Sequence, residues 1–161
     1  MRRWARLGVL GVVVALAVSG CSFFGHGDDK STAVSVFDVK VGDCFLAPAP
    51  PPKAELTDLH RVTCSTPHQQ ESYALLPYKD PATGKAPDEF PGAAALKSFA
   101  DGNCAQEFQG YVGADYRDSS LYFTYLVPSP RSWAQDDDFT VLCFITTTGQ
   151  TLTKSVKGTG A

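Results

Sequence analysis

Phe139-Thr140-Val141-Leu142-Cys143-Phe144-Ile145-Thr146 is the stretch on which the fold turns. Phe139, Val141, Cys143 and Ile145 alternate onto one face of a strand. Leu121 to Val127 repeats the pattern, with Leu121, Phe123, Tyr125 and Val127 on one side and Tyr122, Thr124 and Leu126 on the other. Pro128-Ser129-Pro130 ends that strand. Upstream, residues 92–112 change period: Leu96, Ala100, Cys104 and Phe108 recur at helical spacing and share a face, widened by Phe99 and Tyr111. Asp101-Gly102-Asn103 marks a place where this helical stretch can break in two, with Asp101 or Asn103 as cap.

Leu59–Cys64 and Glu71–Leu76 read as two further strands, joined by Ser65-Thr66-Pro67-His68. Val34 to Phe45 carries alternating apolar residues before the Gly42-Asp43 turn, and Thr151–Val156 reads as an edge strand. Several strands with helix inserted once, and no βαβ alternation, predict an α+β fold: a small antiparallel sheet packed on one helical region.

The amino terminus has a different character. Arg2, Arg3 and Arg6 precede an apolar run, Leu7–Val18, that is too short to span a hydrocarbon core of ~30 Å comfortably. Val18-Ser19-Gly20-Cys21 then resembles a bacterial lipobox. Small residues admit a peptidase, and the Cys21 thiol takes a diacylglyceryl group. Two acyl chains anchor stably where one does not. The expected organisation is a signal peptide over 1–20, a membrane tether over 21–33, one domain over 34–157 and a flexible tail over 158–161. With its three arginines removed, the chain keeps 14 − 3 = 11 basic side chains against 17 acidic ones, a formal charge of −6. That balance argues against nucleic acid as a partner, since phosphate binding relies on Lys and Arg.

Five cysteines are present. Assigning Cys21 to lipid leaves Cys44, Cys64, Cys104 and Cys143, an even number suited to two disulfides in an oxidising compartment. Three pairings are open. Side-chain direction favours Cys104–Cys143, because both point to the layer where helix meets sheet, and Cys44–Cys64 follows.

The chemistry-bearing residues are few. His60, His68 and Glu71 are the only cluster with ligand-type side chains, and zinc would accept that set. His60 and His68 stand on different elements, however, and no HExxH helix is present, so His68 and Glu71 read first as organisers of a turn. Asp136-Asp137-Asp138 lacks calcium-loop spacing and reads as a solvated acidic turn. There is no GxSxG elbow and no glycine-rich phosphate loop, and no cofactor is implied. Trp133 reads first as a half-buried ring packing a turn onto the sheet, and as a candidate partner contact if exposed. The Pro-rich segment 47–53 and the long loop 77–91 are further candidate contact regions.

Several segments in order resemble a known family: Val41-Gly42-Asp43-Cys44-Phe45, Val62-Thr63-Cys64-Ser65-Thr66-Pro67-His68, Tyr111-Val112-Gly113 after the Cys104-bearing helix, Leu126-Val127-Pro128-Ser129 with Ser132-Trp133, and Val141-Leu142-Cys143. Together they are similar to the septum formation-related domain of actinobacterial envelope proteins, over roughly residues 36–147. The resemblance implies an exported, membrane-attached domain tied to envelope or division biology, and it carries over no catalytic residue. The expected function is therefore a non-enzymatic lipoprotein, anchored to the extracytoplasmic face of the cell membrane and binding an envelope or division protein. The alternative is a metal-dependent hydrolase or small-ligand binder using His60, His68 and Glu71.

Overall fold

The computed structural model describes residues 31–48 and 55–161. The signal peptide, Cys21, most of the expected tether and most of the Pro-rich segment lie outside them.

β6 (Thr140–Thr146) is the deciding stretch, and it sits deep in the sheet because both of its faces are apolar. It pairs with β4 (Gln70–Pro77) on one side and β5 (Tyr122–Leu126) on the other. With β1 (Thr32–Ser35), β2 (Cys44–Phe45) and β3 (Asp58–Val62), these form one six-stranded sheet in the order β1-β3-β2-β4-β6-β5. Each neighbouring pair is antiparallel. The α+β expectation is therefore correct.

One long helix, α1 (Ala93–Val112), lies on one face. It buries Leu96, Ala100, Cys104, Phe108, Tyr111 and Val112, the stripe its spacing predicted. Val141, Cys143 and Ile145 of β6 meet that stripe, with Tyr73 and Ala74 of β4 beside them. A register shift between Ser72 and Ala74 lets two consecutive β4 residues, Tyr73 and Ala74, both reach this core. Glu71 precedes the shift opposite Ile145, and Ala74 follows it opposite Cys143.

The helix does not break at Asp101-Gly102-Asn103. The polar side chains there are satisfied without unwinding the backbone. Asp101 pairs with Lys97 one turn back at 2.6 Å and accepts the Tyr125 hydroxyl at 2.7 Å. Asn103 Nδ2 donates to the Phe99 carbonyl. Gly113 ends α1 with φ 92°, and its N–H donates to Gln109 O.

Both expected disulfides form. Cys104–Cys143 ties α1 to β6, and Cys44–Cys64 ties β2 to the residues after β3. Cys104, Cys143 and Cys44 are fully buried, whereas Cys64 is half-buried.

Four boundaries need correcting. β1 starts at Thr32, inside the expected tether. Thr151–Val156 is no strand: it makes one bridge, Leu152 with His68, before Ser155 and Val156 turn to Glu71. Residues 158–161 are not a free tail. Gly158 and Gly160 donate to the Tyr111 and Val112 carbonyls, occupying acceptors that the end of α1 leaves open. The turn around Trp133 is a short helix, α2 (Pro130–Gln135), which Pro130 starts and a Ser129–Ser132 capping box holds.

Candidate functional site

Two places gather polar groups against the apolar frame. The first is the buried end of β4. Glu71 is fully buried and accepts three hydrogen bonds: Tyr111 Oη at 2.5 Å, Ser155 Oγ at 2.6 Å and the Val156 N–H at 2.9 Å. Burial, followed by the Glu71 carboxylate beside it, pushes the Tyr111 hydroxyl well above its ordinary range, so it remains a donor. The carboxylate thus fastens the chain's last segment to both sheet and helix. His68 is also fully buried, with Nδ1 at 2.7 Å from the Thr66 carbonyl. That bond places the proton on Nδ1, and Nε2 has no partner among the described residues.

The ligand atoms of His68, Glu71 and Cys44 lie within 4.8 Å of one another. Cys44 Sγ is bonded to Cys64, so it offers no thiolate, and both Glu71 oxygens already have donors. His60 does not join them. It sits exposed on β3 opposite Ala33, so the set His60, His68, Glu71 is not assembled. His68 bonds within the turn as the sequence suggested, through Thr66, whereas Glu71 fastens α1 and the segment after β6 rather than the turn.

Trp133 is corrected outright as a surface contact. It is 2% exposed and packs edge-on against Phe139, Tyr78 and Phe90. Its position in α2 turns the ring inward, so it clamps the 77–91 loop onto the end of the sheet.

The second place is a groove of about 550 Å³ on the sheet face opposite α1. Leu75, Leu126 and Leu142 project from neighbouring strands to make its apolar floor, with Leu56 and Val36 at the side. α2 and the turn after it make the other wall. There Ser129 Oγ donates to Glu55 at 2.6 Å, and Arg131 lies 3.8 Å from the same carboxylate. Ser132 Oγ donates to Asp138 at 3.0 Å. Asp136 and Asp137 stand exposed at the mouth, and Asp137 takes φ 50°, the left-handed region that Asp tolerates better than most residues. The sequence reading missed this groove. Its signal was present in Leu142 and Phe144, apolar residues on the second face of a strand whose first face already met the helix.

Residues 41–161 match the septum formation family. The chain belongs to that family. It is also 32% identical over 123 residues to the protein named "Putative lipoprotein LppN" in Mycobacterium tuberculosis, a match covering 74% of this chain and 63% of the relative. The protein of the same name in Mycobacterium bovis matches to the same extent. The chain thus spans about 63% of the length of these relatives. No solved structure matches it significantly. The matched residues span both disulfides, the Glu71 node, the docked carboxyl terminus and all of the groove except Val36 and Phe37.

Proposed function

We propose that this septum formation family member is a lipoprotein anchored through Cys21 to the extracytoplasmic face of the cell membrane. Its braced domain acts there as a non-enzymatic module that binds an envelope or division protein. The groove opposite α1 carries this reading. It has an apolar floor and a rim whose polar groups are tied to one another, Ser129 to Glu55 and Ser132 to Asp138, which is the make-up of a binding surface. The lipobox-like Val18-Ser19-Gly20-Cys21 and the lipoprotein name of the mycobacterial relatives support the anchor.

Two measurements test it. Mass spectrometry of the mature protein is expected to find an acylated Cys21 as the first residue; an unmodified amino terminus refutes the anchor. A photo-crosslinker at Val127, at the groove, is expected to give a discrete envelope-protein adduct that a crosslinker at exposed Ala134 does not. Equal labelling from both positions refutes the groove as the contact.

A further inference from the structure

β5 forms one side of the sheet, and among the described residues only β6 pairs with it. In an antiparallel pair, alternate residues turn their N–H and C=O groups away from the partner. Along Tyr122–Leu126 those outward groups meet no other backbone among the described residues. Proteins usually blunt such an edge with a lysine, a proline, a bulge or a covering segment. β5 reads Tyr-Phe-Thr-Tyr-Leu, with no charge and no proline, and its register with β6 is uninterrupted over all five residues. Tyr122 is 52% exposed at its start and Val127 is 38% exposed just beyond its end.

The groove begins where β5 ends, at Tyr125, Leu126 and Val127. Among the described residues its rim carries four carboxylates, Glu55, Asp136, Asp137 and Asp138, against one cation, Arg131, which is already matched to Glu55. The mouth therefore has an excess of negative charge.

We propose that the β5 edge takes up an extended, basic and apolar segment of a partner protein as an additional strand of the sheet. Main-chain hydrogen bonds to β5 hold the segment. Side chains on the groove side lie against Leu126 and Val127, and a lysine or arginine meets Asp136 and Asp137. A second copy of this chain brings the same acidic excess, so charge favours a basic partner over self-pairing. The proposal rests on the groove-binding reading above and names the chemistry of the partner.

The test is hydrogen–deuterium exchange on the full mature chain in detergent micelles, with a short synthetic peptide of alternating lysine and valine, blocked at both ends. Two control peptides replace lysine by glutamate, or the central valine by proline. The lysine–valine peptide is expected to slow exchange over 122–126 by about tenfold or more, while neither control does. Tyr122→Lys, on an exposed side chain, and Asp137→Asn, which keeps a residue tolerant of positive φ, are each expected to weaken the effect about three- to tenfold at low salt. Unchanged exchange over 122–126 at saturating peptide overturns the proposal. If residues 55–57 and 136–142 are then protected, the groove still binds and only strand addition fails. If no segment is protected, groove binding fails with it. Slow exchange over 122–126 without peptide, growing with protein concentration, overturns the proposal in favour of self-pairing.

Discussion

Glu71 shows how one buried residue organises distant parts of the chain. Its three donors come from α1 and from the segment after β6, so removing the carboxylate strands the buried Tyr111 hydroxyl and Val156 N–H and frees the half-buried Ser155. Glu71→Gln keeps the shape but sets an amide N–H against one of those donors, and it is expected to cost roughly 2–4 kcal/mol. Tyr111→Phe, which removes a single donor, should cost about 1 kcal/mol. Urea unfolding of both variants checks the ranking, and equal losses would mean that the node is not a hub. An exposed pair offers a second check at this scale. Side-chain and backbone hydrogen bonds from Arg117 hold the Asp115 carboxyl down at about 2, from an ordinary 3.8. Because the folded value is depressed, this contribution is present above an ordinary carboxylate pKa and is lost as pH falls from near 3.8 toward 2. In Arg117→Gln the Asp115 midpoint, read by carboxyl NMR titration, is expected to rise toward 3.8. His68 and Glu71 were legible in the sequence as a pair because they stand three residues apart, at the end of one connection and the start of the next strand. Their partners were not, since Tyr111 and Ser155 lie 40 and 84 positions from Glu71.

At the scale of elements, side-chain periodicity reported faces more reliably than turn-forming residues reported ends. The helical stripe and the two late strands hold as read, because each is a repeated apolar pattern with a core to meet. The expected break in α1 fails because its polar residues find partners on the same helix and on β5. Gly102 is left as a helical glycine with open space where a Cβ would sit. Gly102→Ala is therefore expected to stabilise the protein by about 0.5–1 kcal/mol, from the lower entropy of the unfolded chain. Gly113→Ala makes the opposite case: at φ 92° an alanine is strained, and about 1–2 kcal/mol should be lost. Thermal unfolding of the two variants should move in opposite directions, and a destabilising Gly102→Ala would mean that the helix does not run straight through. α2 escaped notice because six residues hold too little pattern to register, although Ser129, Pro130 and Ser132 spelled out its cap.

The molecule as a whole is a sheet with unequal faces. On one face α1 packs over β4, β5 and β6, joined by Leu152 and Val156 of the last segment, while the other face opens as the groove; the apolar second face of β6 hinted at cover without saying that it would be incomplete. The disulfides divide along the same line. Cys104–Cys143 runs through the helix-covered core with both residues inaccessible, and Cys44–Cys64 lies near the surface with Cys64 half-buried. Thiol–disulfide exchange requires an attacking thiolate to reach a sulfur, so access ranks the two bonds. Mild dithiothreitol at neutral pH should open Cys44–Cys64 first, leaving α1 fastened to β6. Chain-entropy reasoning gives about 3 kcal/mol for the bond spanning 20 positions and about 4 kcal/mol for the one spanning 39. The first reduction should therefore weaken the amino-terminal strands while leaving the α1–sheet core folded, and full unfolding should follow only when Cys104–Cys143 is cut. Stepwise alkylation and peptide mapping along a reduction time course decides this. Labelling of Cys104 and Cys143 ahead of Cys44 and Cys64 would show that the helix opens more readily than the amino-terminal strands, and the helix-covered face could not then be the rigid side of the molecule.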